Sequence, residues 1–442
     1  MRSKNNIIGD IDWVLVLIYM ILVSFGLSNI YSSVFDPDHP LLFDLDKEYG
    51  KQVMWIGISI FLGFSALLVD GSFIKKNAYW IYGATVLLLV LVLLTKPING
   101  ARSWFGFGSF GIQPSEFAKV GISLALAKFI SEMGVNVSEF KSKLKIAAIL
   151  GLPCALVLLQ PDAGTFIVFV SFVLVLYREG LSGNVILFGI IAIIVAVITL
   201  LVADSSFFFP FTKIKMTGKF GIFIFISLMA GLFSILVKNY VVPRNRKQLY
   251  RAIIGGFIVS IVFVNFVEVG YSSILQKHQK ERIDLLLGKI VDPNGKGYNI
   301  NRSKAAIGSA GFFGVGYKES KLANAHQNHV PMHSTDFIFC TWSEERGFLG
   351  SSILILIYLT LLIKIISIAE RQRSKFTRIY GYSVAGIFFF HVMINIGMAI
   401  GLAPVIGIPL PFFSYGGSSM MSFSILLFIL IKLDAERKIV LK

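Results

Sequence analysis

The chain has 442 residues, of which 55% are hydrophobic and 15% charged, with a formal net charge of +16 at pH 7. A typical soluble domain carries about 25% charged residues, so this composition, with its 40 Phe, excludes a water-soluble fold. The surplus Lys and Arg are spread over many short loops, which disfavours nucleic acid as a partner and fits a rim facing anionic lipid.

Apolar runs long enough to cross a bilayer as helices, roughly 18 residues or more, recur along the chain. Twelve candidate spans follow in order, at 13–31, 53–70, 78–95, 116–131, 146–161, 164–177, 185–203, 220–237, 252–269, 347–366, 380–400 and 419–432. The expected fold is therefore all-α and polytopic. The first run follows a basic start but has no small-residue cleavage site, so it reads as a retained span. The sixth is short and joined to the fifth by the tight turn Gln160-Pro161-Asp162-Ala163-Gly164. Cys154 and Cys340 lie in or beside apolar segments without a Cys-x-x-Cys partner, and neither a disulfide nor a metal site is read from them.

Short loops rich in Lys and Arg face the cytoplasm. Lys75-Lys76, Lys141/Lys143/Lys145, Arg178, Arg244/Arg246/Lys247/Arg251, Arg371/Arg373/Lys375/Arg378 and Arg437/Lys438 all fall on one side with the N-terminus. Both termini are thus expected in the cytoplasm. The acidic first loop and the long polar segment 270–346 are expected outside. Loops of that length escape the charge rule and are usually functional or disordered.

The long segment concentrates Asp292-Pro293-Asn294-Gly295-Lys296-Gly297-Tyr298, then Arg302-Ser303-Lys304, among several glycines. Asp292 has two readings. It suits a turn cap, because Asp-Pro and Asp-x-x-Gly are turn formers, and it suits a general base on an exposed loop. His326, His329 and His333 have a spacing that could hold zinc on a helix, but only Asp336 could complete the site; exposed loop histidines are the simpler account.

Inside the spans, Glu116 and Lys119 in Gln113-Pro114-Ser115-Glu116-Phe117-Ala118-Lys119 share a helix face at i, i+3. Ionisable residues at membrane depth usually line a polar path or cavity, and the pair reads as shaping a polar groove. The alternative is an interfacial capping pair that snorkels to water. Arg102 could anchor at the interface or meet an anionic headgroup. His391 with Asn395, and Asn265 with Glu268, read as helix-to-helix hydrogen-bonding groups.

Six separated motifs, in order, resemble the SEDS family of bacterial cell-wall proteins (FtsW/RodA/SpoVE). They are Asn99-Gly100-Ala101-Arg102-Ser103-Trp104, Gln113 to Lys119, Gln160-Pro161-Asp162-Ala163-Gly164-Thr165, the Asp292 to Gly316 loop, Thr335-Asp336-Phe337 with Glu344-Glu345, and Asn395 to Ser419. The Pro-Val-x-Gly-Ile-Pro-Leu-Pro-Phe form from Pro404 is nearer the RodA-like branch than the division branch. The resemblance implies one membrane domain over 1–442, usually of ten spans, so that 204–251 would be an inserted helical pair. Arg302 stands where the family usually has glutamine.

The resemblance further implies a peptidoglycan glycosyltransferase that polymerises lipid II in the bacterial cytoplasmic membrane, beside a class B penicillin-binding protein and other elongation proteins. Asp292 falls on the essential outer-loop aspartate. Arg102, Glu116, Lys119, Arg282 and Lys304 fall on polar groove residues, and Asp336 and Ser414 join them as expected substrate contacts. A sugar hydroxyl attacking an anomeric carbon needs a base. The departing lipid diphosphate needs preorganised cations, for which Arg102, Lys119, Arg282 and Lys304 are candidates. No cofactor is implied, although a divalent cation could share the cationic role. A lipid II flippase is the alternative and a non-catalytic scaffold a third reading. Because the polar groups bunch at one end of the spans, the enzyme is favoured over a carrier.

Overall fold

The computed structural model describes residues 7–35, 41, 43–97, 101–107, 110–202, 205–208, 215–274, 280–281, 283–284, 287, 289, 296–320 and 334–437. The described chain is predominantly helical. Its helices are α1 (Ile7–Asp10), α2 (Trp13–Ser33), α3 (Glu48–Leu68), α4 (Gly71–Val92), α5 (Pro114–Ser131), α6 (Phe140–Leu159), α7 (Ala163–Phe169), α8 (Phe172–Arg178), α9 (Gly183–Val202), α10 (Gly218–Tyr240), α11 (Pro243–Val269), α12 (Lys296–Ser309), α13 (Ile338–Glu370), α14 (Lys375–Ile400) and α15 (Gly417–Ala435). Helices dominate because a segment in hydrocarbon must satisfy its own backbone hydrogen bonds.

Every one of the twelve expected spans falls on helix. By length and composition, however, nine helices among the described residues qualify to cross a membrane. The other three expected spans depart for local reasons. α4 carries Lys75-Lys76-Asn77 in its second turn, and α5 carries Glu116, Lys119 and Lys128. The 163–178 run divides into α7 and α8, with turn-type bonds from Val170 and Ser171 N–H to Ile167 and Val168 carbonyls.

The segment expected as a long loop is also more ordered in sequence terms than its polarity suggests. α12 lies within it, and α13 begins at Ile338 rather than near 347. α13 is broken at Gly347, whose φ of 64° is non-helical. The glycine-rich turn after α12 fills this break. Val315 and Gly316 N–H donate to the carbonyls of Glu344 and Glu345, and Phe348 and Leu349 N–H donate to Gly311 and Phe312. A Cβ on Gly347 would lie 2.3 Å from the Gly314 nitrogen, so the interlock needs glycine there.

The chain forms two compact units, residues 1–182 with 293–442, and residues 183–292. In the larger, α15 packs on α3 and α5, while α14 packs on α5 and α13. Phe388, Phe412, Phe413, Phe423 and Phe428 fill its centre. The smaller unit consists of α9, a short hairpin pairing Ser206–Phe208 with Lys215–Thr217, α10 and α11, and so takes in α9 as well as the 204–251 segment. Asn265 donates to Ile261 O on its own helix, and Glu268 pairs with Lys219.

Candidate active site

The site region of the larger unit is built on helix ends set by short-range chemistry. Pro114 opens α5, where a missing N–H costs nothing, and so places Ser115, Glu116 and Lys119 on its first turns. Asp162 caps α7, its Oδ1 accepting from Thr165 N–H at 3.0 Å. Its Oδ2 accepts from Gln113 Nε2 (3.0 Å), Ser115 Oγ (3.1 Å) and Thr165 Oγ1 (2.8 Å). One carboxylate therefore ties the second and third sequence motifs together. Sequence reasoning noticed Asp162 only as part of a motif; an Asp three residues before Thr, at a helix start, is the signal that was available.

Lys119 is fully buried, and its ammonium meets three partners. Glu116 Oε2 lies at 2.6 Å, His391 Nε2 at 2.9 Å, and the Phe423 ring centroid at 4.5 Å. His391 Nδ1 is 3.0 Å from Pro409 O. Since a carbonyl only accepts, Nδ1 carries the proton and Nε2 accepts from Lys119. His391, expected to bond between helices, does so to one named cation, Lys119 on α5. Ser422 Oγ donates to Glu116 O at 2.6 Å, closing the group from α15.

One turn along α14, Asn395 Nδ2 donates to Ile408 O (2.7 Å) and to Asp336 O (3.0 Å). Ser414 is buried, donating to Thr335 O at 2.7 Å and accepting from Leu410 N–H at 2.8 Å. A polar seam thus runs from Glu116 through Lys119, His391, Pro409 O and Asn395 to Asp336, whose Oδ2 borders Gly407. Ser414 serves this seam by holding backbone.

Lys304 is exposed on α12, which docks through a bond from Ser303 Oγ to Ala399 O at 2.8 Å. α14 ends at Gly401 in the left-handed region (φ 79°), with Gly401 and Leu402 N–H returning to Met398 and Gly397 carbonyls. That bonding pattern is the usual glycine-terminated helix end. A Cβ on Gly401 would sit 2.0 Å from Lys304 Cε, so the lysine lies across the helix end. Arg102 is also exposed, with Nη1 3.4 Å from Leu93 O. Glu344 accepts from Ser320 Oγ at 2.7 Å, while Glu345 accepts from Lys318 N–H (3.1 Å) and Arg346 Nη1 (3.0 Å). These bonds anchor the segment that follows the glycine turn.

The structure therefore joins Glu116 to Lys119 directly and links Asp336 and Ser414 to them through backbone. It places Arg102 and Lys304 separately, at exposed positions. Asp292 and Arg282, with His326, His329 and His333, lie outside the described residues. Chemically, the seam offers one wholly buried, internally satisfied cation, and the exposed Arg102 and Lys304 offer charges that an anionic ligand can reach.

A many-helix membrane body with such a seam through its centre defines a class, and the comparisons specify it. The family model described as "Cell cycle protein" (FtsW/RodA/SpoVE) matches residues 12–216 and 226–439, and the chain belongs to that family. It is 33% identical over 441 residues to the peptidoglycan glycosyltransferase RodA of Treponema pallidum, covering 97% of this chain and 99% of that one. It is 29% identical to the peptidoglycan glycosyltransferase MrdB of Escherichia coli K12 over 83% of this chain and 80% of the relative. Among solved structures, a chain from a peptidoglycan synthase complex aligns with a TM-score of 0.67 and 26% identity, covering 97% and 98% of the two chains. Thermus thermophilus RodA shares the fold, with a TM-score of 0.58 and 24% identity over 97% of each chain.

Proposed function

We propose that the chain is a peptidoglycan glycosyltransferase that polymerises lipid II into glycan strands during cell elongation, seated in the bacterial cytoplasmic membrane with both termini inside. The observation that carries this reading is the near full-length similarity to relatives named for that activity. The six motifs of the sequence fall within the matched residues, which supports carrying the chemistry over.

In the proposed reaction the Asp292 carboxylate takes the proton from an acceptor sugar hydroxyl as that oxygen attacks the donor's anomeric carbon. The new C–O bond forms as the bond to the undecaprenyl diphosphate breaks, and the diphosphate leaves with the electron pair. Arg102, Arg282 and Lys304 would stabilise the charge growing on that group, since cations fixed in advance need no reorganisation. Glu116, Lys119, Asp336 and Ser414 line or brace the groove that receives the substrate. Lys119 acts from within, by fixing the junction of α5, α14 and α15. Segment 204–251 is proposed as an insertion into a single family domain, with 270–346 as the outward-facing working segment.

A class B penicillin-binding protein is the proposed partner, supplying transpeptidation. The structural relative belongs to a complex that coordinates polymerisation with crosslinking, and this supports such a pairing. The test is polymerisation of purified lipid II by Asp292→Ala, with and without the partner and with a chelator. The expected result is loss of glycan product, roughly 100-fold or more for removal of a general base, in a protein that still binds its partner. Unchanged product would remove Asp292 from the chemistry.

A further inference from the structure

The smaller unit carries a charge imbalance that the proposed reaction does not use. Residues 205–267 contain eight Lys and Arg and no Asp or Glu. Five of those cations, Lys238, Arg244, Arg246, Lys247 and Arg251, crowd the turn between α10 and α11. Lys238, Arg244, Lys247 and Arg251 are exposed. None of the five has a carboxylate partner among the described residues, whereas Lys219, at the other end of the same hairpin, pairs with Glu268. Arg246 folds back, its Nε 2.7 Å from Val241 O, which fixes the turn.

Helix geometry gives the cluster a depth and a face. α11 has 27 residues, so it is about 40 Å long, against a hydrocarbon thickness of about 30 Å. Its apolar stretch begins at Ala252, so residues 243–251 supply the remaining length, at headgroup level. Arg244, Lys247 and Arg251 follow i, i+3, i+7 spacing and form one stripe along these first turns. The free N–H groups of the α11 start add positive potential beside it. Tyr240 and Val242 are exposed at the same turn, and Tyr is a residue of the membrane interface.

We propose that the α10–α11 turn is a binding site for the phosphate of an anionic phospholipid, gripped by Arg244, Lys247 and Arg251, with Lys238 and Arg246 flanking it. Guanidinium groups can take two phosphate oxygens at once, and the lipid supplies the negative charge that residues 205–267 lack. The site is independent of the polymerase reading.

The experiment uses the full chain in phosphatidylcholine nanodiscs doped with phosphatidylglycerol, extracted mildly, with bound lipid counted by native mass spectrometry. The wild-type chain is expected to retain phosphatidylglycerol selectively and to release it as salt is raised. Arg244→Gln/Lys247→Gln/Arg251→Gln should weaken retention by roughly 100-fold at low salt, from the usual worth of three headgroup-level cations. Lys141→Gln/Lys143→Gln/Lys145→Gln removes the same charge elsewhere and should leave retention unchanged. The double change Arg244→Lys/Arg251→Lys, which keeps charge and fold, should retain the lipid more weakly than wild type and more strongly than the glutamine variant. Equal retention by the wild type and the glutamine variant, equal loss in the Lys141/Lys143/Lys145 control, salt-insensitive retention, or displacement by inorganic phosphate would each overturn the assignment.

Discussion

In the body formed by residues 1–182 and 293–442, Arg178 meets Glu370, Arg378 meets Glu179, and Arg371 meets both Asp12 and Asp434. In residues 183–292, the cations of the α10–α11 turn meet no carboxylate among the described residues. Apolar surface divides the same way. The most apolar window of α15 is 94% buried within the protein, against 6% for α9 and for the α11 segment. The body pairs charges between its helices and buries its central helix α15, although its outer helices α3 and α6 are only 28% buried. The smaller unit leaves its turn cations and its apolar area for its surroundings, and in a bilayer those surroundings are acyl chains and headgroups.

The largest expected effect that sharpens this contrast is at Lys119. Lys119→Met leaves the Glu116 carboxylate buried without its cation, which should cost about 3–5 kcal/mol. Adding Glu116→Gln should restore most of that loss. In the smaller unit, Lys219→Met should cost about 1 kcal/mol or less, because that pair is partly open, with 28% and 42% of its side chains exposed. Thermal unfolding in a single detergent measures both. Equal losses would mean that the two ion pairs sit in equivalent environments, and the comparison would break.

A second pair of variants tests apolar surface alone. Leu427 on α15 is fully buried and Leu187 on α9 is 55% exposed. Leu427→Ala should cost about 2–5 kcal/mol, through lost burial and a cavity. Leu187→Ala should stay within about 0.5 kcal/mol, as an exposed change away from special features does. A matching loss at Leu187 in unfolding melts would show that α9 packs as tightly as the body.

The same contrast explains what could be read from the sequence. All twelve apolar runs became helix because hydrocarbon-length runs have one backbone solution. The Glu116–Lys119 pair was legible for a similar reason, since i, i+3 spacing fixes a shared face. His391 was not. Its partner is 272 positions away, and no periodicity within α14 encodes what faces it. Gly347 was equally silent: an isolated glycine in an apolar run does not announce that a distant glycine turn will fill a helix break. α12 and the first turns of α13 are hidden by their polarity, although Lys296–Ser309 forms a helix and Ile338–Glu345 is buried. The cations of the α10–α11 turn are legible as a topological marker, but no sequence pattern shows that they meet no carboxylate among the described residues.

Asp12 gives the smallest effect expected within the body, and one that acid should reveal. It caps α2, its Oδ1 accepting from Leu15 N–H at 3.3 Å, and its Oδ2 lies 3.2 Å from Lys364 Nζ and 3.1 Å from Arg371 Nη2. Burial is the strongest influence on this carboxyl and pushes its pKa up. Bonds from Lys364 and Arg371, with the Leu15 N–H, outweigh it and hold the pKa below the ordinary carboxylate value. A folded-state pKa below the unfolded one adds stability that is fully present above the unfolded value, near pH 4, and is lost as pH falls through the folded value. Asp12→Asn keeps a capping oxygen but removes the charge. It should cost about 1 kcal/mol at neutral pH, the upper end for partly exposed pairs. It should also remove part of the drop in melting temperature expected of the native chain below about pH 4. An unchanged acid limb in Asp12→Asn would place the body's acid sensitivity outside the Asp12 cluster.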